Sequence, residues 1–82
     1  MNGHEQGSFA VILFHTSNHA IRAEKVLGQA GRRVKLMPVP RHLSSDCGVC
    51  LRIDREAREA CRDLLKEARV EIASLHDLHS SG

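Results

Sequence analysis

Cys47 and Cys50 carry the plainest chemical potential in this sequence: two thiols in Cys-x-x-Cys spacing, within a stretch of Pro, Arg, Ser and Gly. The thiolate, not the thiol, is the nucleophile and metal ligand. An ordinary cysteine with a pKa of about 8.5 is only slightly ionised at neutral pH, and a helix N-terminus or a nearby cation raises that fraction. Cys47 lies between Asp46 and Gly48 in a polar loop, where a side chain is accessible and a glycine lets a large group approach the backbone. It is the candidate nucleophile. Arg41 and the Asn18 end of the first expected helix favour its thiolate, and Asp46 opposes it.

The pair suits reversible disulfide formation or half of a zinc site. A thioredoxin-like arrangement would start a helix at the pair directly after a strand, whereas Cys50 opens a strand here. Zinc would need two further ligands, with His15, His19 and His42 nearest. No second Cys-x-x-Cys exists, and the His-to-Cys spacings match no common finger, so no metal and no cofactor is expected. For Cys50 two readings stand side by side. It can be a resolving thiol that attacks a Cys47 persulfide, releasing sulfide and forming a disulfide. It can equally be a strand residue that fills space. Cys61, between Ala60 and Leu64 on an apolar stripe, reads as core.

These residues need elements to hold them. Phe9-Ala-Val-Ile-Leu-Phe14 is apolar on both alternating faces, as in a central strand covered on two sides. Thr16, Ser17 and Asn18 are N-cap residue types ahead of Ala20, Ala23, Val26, Leu27 and Ala30, which share one helical face, and Gly31 supplies a stop. The spacing predicts a helix from Asn18 to Ala30. Arg33 to Met37 alternates until Pro38-Val39-Pro40 ends the ladder, and a polar loop runs from Arg41 to Gly48. Val49, Leu51 and Ile53 then mark a third strand. Asp54 is the expected cap of a second helix, with Ala57, Ala60, Cys61, Leu64, Leu65 and Ala68 as its stripe. Val70 to Ala73 reads as the last strand and Ser74 to Gly82 as a tail bearing His76 and His79, both expected to be solvated.

The order is βαββαβ, an α+β class. With right-handed crossovers it makes a ferredoxin-like sandwich, a four-stranded antiparallel sheet with both helices on one face. In that topology the first two strands end, and the third begins, at one edge of the sheet. The turn from His15 to Asn18 and the Pro38 to Cys50 loop should therefore meet there. Residues 1–8 form a leader, 9–75 one domain, and 76–82 a polar tail.

Composition narrows the function classes. Eighty-two residues with 41% apolar and 27% charged side chains suit one small globular domain. No apolar run reaches the ~18 residues of a membrane span, and the N-terminus lacks the pattern of a secretory signal. A cytoplasmic location is expected, and three cysteines there argue against a disulfide framework. The net charge of +2 is uneven: six bases face two acids through Ser45, then six face eight. Without Trp or Tyr there is no stacking platform, so nucleic acid is not an expected partner. Because helices can cover only one side of Phe9 to Phe14, a homodimer through the helix-free face is expected.

Pro38-Val-Pro-Arg-His-Leu-Ser-Ser-Asp-Cys-Gly48 resembles the loop signature of the selenium/sulfur carrier-like proteins, small bacterial and archaeal domains. The helix segment Ala23-Glu24-Lys25-Val26-Leu27, Gly31 and the Cys-Gly-Val-Cys-Leu-Arg52 strand are similar in order and spacing, so the resemblance covers roughly Phe9 to Ala73. It implies a ferredoxin-like carrier, not a multi-turnover enzyme, whose cysteine at the position of Cys47 holds sulfur or selenium as a persulfide or selenopersulfide. The chalcogen would pass from a donor enzyme of cysteine desulfurase type to an acceptor protein. Gly48 would open space beside the thiol, and Arg41 and Ser45 would shape the loop or stabilise an anion. Cys50 departs from the pattern, in which a small non-thiol residue is expected. Two other classes compete: a ferredoxin-like interaction module that dimerises or docks a partner, and a small metal-binding protein using Cys47, Cys50 and a histidine.

Overall fold

Strands and helices follow each other as β1 (Ser8–Leu13), α1 (Ser17–Gln29), β2 (Val34–Pro38), β3 (Val49–Asp54), α2 (Arg58–Glu67) and β4 (Ser74–His79). The computed structural model describes residues 8–40, 43 and 48–79. The sheet order is β2-β3-β1-β4, every neighbouring pair antiparallel, which is the expected ferredoxin-like arrangement.

Alternation along β1 divides its side chains between two cores. Ala10 and Ile12, with Phe14 just beyond the strand, meet Leu51 and Ile53 of β3, Ala20, Ala23 and Leu27 of α1, and Cys61 and Leu65 of α2. Both helices therefore cover one face. Val11 and Leu13 point the other way and are buried with Cys50 beneath Phe9, Met37, Val39, Leu43 and Leu78. Val11 is 0% exposed within a single chain. Its burial needs no second copy, because Val39 and Leu43 come from beyond the end of β2 and pack over the helix-free face. No described helix is long and apolar enough to cross a membrane.

The helix termini differ from expectation by small, explicable amounts. Of the three cap-type residues, Thr16 takes the role: it is extended (φ −140°, ψ 157°), and its hydroxyl accepts from the His19 backbone N–H at 3.3 Å. Asn18 then lies inside the first turn. At the other end Gly31 has φ +80°, its N–H reaches the Gly28 carbonyl at 3.0 Å, and the Arg32 N–H reaches Leu27 at 2.9 Å. This is a Schellman closure, which needs a left-handed residue at that position.

A second closure of the same kind ends α2. The Arg69 N–H donates to Lys66 at 3.1 Å and the Val70 N–H to Leu65 at 2.9 Å, but Arg69, not glycine, takes the left-handed conformation (φ 61°). Asp54 ends β3, and a single 3-10 turn (Arg55–Ala57) precedes α2, so the second helix starts later than its sequence stripe implies.

The last strand is the main correction. Val70 to Ala73 does not form it: Val70 anchors the closure of α2 in the core, and Ala73 donates to the Leu13 carbonyl at 2.8 Å as the pairing with β1 begins. The strand is Ser74–His79, so residues assigned to a tail, His76 and His79 among them, lie on the sheet. Its alternation is hidden because Asp77, on the helix-facing side opposite Ala10, replaces an apolar residue. Arg58 donates to the Asp77 carboxylate, and Arg55 Nε lies 3.8 Å from it. The Arg58 guanidinium is held above its ordinary pKa first by that hydrogen bond and then by the Asp77 charge.

Candidate functional site

One edge of the sheet gathers four chain segments. β1 ends there with Leu13, which pairs with Cys50 near the start of β3 and with Ser74 at the start of β4. Cys50 pairs on its other side with Met37, and Pro38 with Val49, so β2 ends at the same place. Three residues separate the end of β1 from the start of α1, which keeps the helix N-terminus near this edge. The convergence that topology demands is present.

The loop that leaves β2 and returns to β3 is closed at its neck. The Val39 N–H donates to the Gly48 carbonyl at 3.3 Å, and the Leu43 N–H donates to Pro40 at 2.9 Å. Gly48 has φ +82°, a conformation that costs an L residue roughly 1–2 kcal/mol. No atom of the described residues beyond its chain neighbours lies within 4 Å of where a Cβ would stand, so among the described residues it is the backbone conformation, not lack of space, that favours glycine here. Arg41, Ser45 and Cys47 lie outside the described residues, as does His42.

Cys50 is fully buried, and its thiol faces the Pro38 carbonyl oxygen with Sγ 3.9 Å away. It sits under the loop, in the second apolar cluster with Val11 and Leu13. Cys61 is buried in the helix-side core, where loss of hydration pushes its thiol pKa up; Arg32 lowers it by less, and Asp54 adds a smaller raising. Asn18 is exposed in the first turn of α1.

Two histidines, His19 and His76, are engaged locally. His19 Nδ1 is 2.8 Å from the Thr16 hydroxyl, within the cap of α1, and His76 Nε2 is 2.9 Å from the Ser74 hydroxyl. Among the described residues no three of His, Cys, Asp and Glu come together as metal ligands.

The register also assembles a feature that no single segment of sequence displays. On the helix-free face, one row across the sheet reads Met37, Cys50, Leu13, Ser74, and the next reads Lys35, Arg52, Val11, His76. Two residues along a strand separate the rows, about 7 Å. The Arg52 guanidinium carbon lies 4.2 Å from the centre of the Phe9 ring, a cation–π contact. Beside it an open groove of about 600 Å³ is lined by Arg33, Val34, Lys35, Arg52, Ile53 and Asp54. The signal lay in the sequence, since Lys35 and Arg52 take the outward positions of their strands. What joins them is strand pairing, which alternation alone does not supply.

A family model described as "Putative Se/S carrier protein-like" matches residues 9–77. Neither a curated protein nor a solved structure matched the chain.

Proposed function

The chain belongs to the Se/S carrier-like family, and from that premise we propose that Cys47 accepts sulfane sulfur, or selenium in the same oxidation state, from a donor enzyme and delivers it to an acceptor. The observation that carries this reading is the extent of the match, residues 9–77, which includes the Pro38-to-Gly48 segment with its cysteine. The closed neck between Val39 and Gly48 supports it, because it ties the end of the Cys47 loop to a rigid sheet edge.

The exchange is balanced without an external oxidant. The Cys47 thiolate attacks the outer sulfur of the donor's persulfide, a new S–S bond forms at Cys47, and the donor's S–S bond breaks. The donor leaves as a thiolate and takes up the proton that Cys47 gave up on ionising. An acceptor thiolate then removes the outer sulfur from Cys47 by the same step. A location in the cytoplasm, where thiols are kept reduced, suits a carrier that works through a free cysteine.

Within this reading Cys50 has a packing role. Its complete burial and its contact with the Pro38 carbonyl support a residue that seats the loop on the sheet over one that attacks a persulfide. The test is the intact mass of the protein after incubation with a cysteine desulfurase and cysteine. Wild type should gain one sulfur atom, Cys47→Ser should gain none, and Cys61→Ser should behave as wild type. Sulfur loading that survives Cys47→Ser would overturn the assignment.

A further inference from the structure

We propose that Arg33, Lys35 and Arg52 form the docking surface for the enzyme that loads Cys47, and that this enzyme presents acidic side chains around its persulfide. The inference rests on the carrier reading and adds to it a partner surface. A persulfide held on an enzyme reaches a second protein's thiol only by direct contact, so the donor must cover the face from which the loop is reached. Val39 and Leu43 pack on the helix-free side of the sheet, over Val11, Leu13 and Cys50. The Lys35–Arg52 row is the next one along that face, about 7 Å from the Cys50 row.

Charge names the class of partner. The groove is lined by three cations, Arg33, Lys35 and Arg52, and one carboxylate, Asp54, and all four residues are exposed. Arg52 is held in place by its stacking on Phe9. Exposed cations on the strands that carry the loop, one of them held against Phe9, steer an acidic surface and speed its encounter.

Other occupants fit less well. Single-stranded nucleic acid would need an aromatic platform, and the one aromatic ring in this row's vicinity, Phe9, is already covered by Arg52. A second copy meeting this row about a two-fold axis would bring the same cations against one another.

The experiment compares two sulfur sources, a cysteine desulfurase with cysteine and the small molecule cysteine persulfide, using intact mass to follow Cys47 loading in wild type and Arg33→Glu/Lys35→Glu. Those two residues precede and occupy the edge strand β2. A second variant, Arg52→Glu, tests the row independently, with circular dichroism checking that each protein is folded. The expected result is loading from the desulfurase slowed by about tenfold in each variant, with a salt dependence in wild type that the variants lose, while cysteine persulfide loads all three proteins at one rate. Equal desulfurase rates in folded wild type and variants would overturn the docking surface and leave the carrier reading intact. Failure of both sources to load wild type would instead remove the carrier reading. RNA retention, or self-association in sedimentation, that the variants lose without any change in desulfurase loading would reassign the row and overturn the proposal.

Discussion

The Val39 N–H donates to the Gly48 carbonyl at 3.3 Å, so the segment containing the candidate thiol leaves and rejoins the sheet through one hydrogen-bonded neck. Pro38 and Pro40 on the outgoing side restrict φ, and Gly48 on the returning side adopts φ +82°. The geometry of the neck thus depends on residue types that few substitutions can replace.

Gly48→Ala should expose that dependence. An alanine at positive φ costs roughly 1–2 kcal/mol, and relaxing that strain would shift the backbone of the two neighbours of Gly48, Cys47 before it and Val49 after it. Chemical denaturation should show a stability loss of about that size, and sulfur loading of Cys47 should fall. A variant with unchanged stability and loading would show that the neck tolerates another conformation.

Alkylation rates should separate the three cysteines. Cys61 and Cys50 are both fully buried, and burial raises the Cys61 thiol pKa, so each should react slowly with iodoacetamide in the native protein. Cys47 should label first, and in denaturant the three rates should converge. Native labelling of Cys50 as fast as Cys47 would contradict a packing role for Cys50.

Cys50→Ala and Cys50→Ser differ in what they test. Alanine leaves a small void under Val39 and Leu43, whereas serine places a hydroxyl in an apolar cluster, at a cost of about 1–3 kcal/mol if it finds no partner. Both should lower the unfolding midpoint, and neither should lengthen the lifetime of sulfur on Cys47. A longer lifetime would restore Cys50 as a resolving thiol.

The parts of the fold that sequence displayed were those in which one physical signal acted alone. Phe9 to Phe14 announced a strand covered on both faces, and that is what Ile12 and Val11, buried in different clusters, show. The last strand was hidden by two tertiary effects. Val70, read as strand, is the apolar anchor of a helix closure, and Asp77 occupies a helix-facing but solvent-exposed position, where Arg58 and Arg55 reach it from α2 and the turn before it. The homodimer expectation starts from the same alternation. Two apolar faces on one strand require two covers, and sequence could not show that Val39 and Leu43 supply part of the second within one chain. Of the expected site, the converging edge, Gly48 and Cys50 can be placed, while Cys47, Arg41 and Ser45 lie outside the described residues.

The two helix closures make a paired prediction about stability. Gly31 and Arg69 occupy equivalent left-handed positions, at φ +80° and φ 61°, but only one is a glycine. Arg69→Gly should therefore stabilise the protein by about 1 kcal/mol, and Gly31→Ala should destabilise it by a similar amount. Urea denaturation of the two variants measures both, and an Arg69→Gly protein less stable than wild type would mean that the arginine side chain compensates for its backbone.

Alkaline pH should reveal the buried Cys61 thiol. Its folded-state pKa is raised, so the neutral form is favoured in the native protein, and the stability this gives is complete below the unfolded thiol's pKa. As pH climbs past that point the unfolded chain ionises its thiol while the native chain does not, and the native state loses relative stability until Cys61 itself titrates. The expected observation is an unfolding free energy that declines with pH through the alkaline thiol range. Cys61→Ala should lower stability at neutral pH, because it leaves a void between Leu65 and the sheet-side core, and should also flatten the alkaline decline. Cys47→Ser provides the control, since removing a loop thiol should leave Cys61's contribution in place. A decline equally steep in wild type and Cys61→Ala would show that other groups, the lysines among them, dominate the titration.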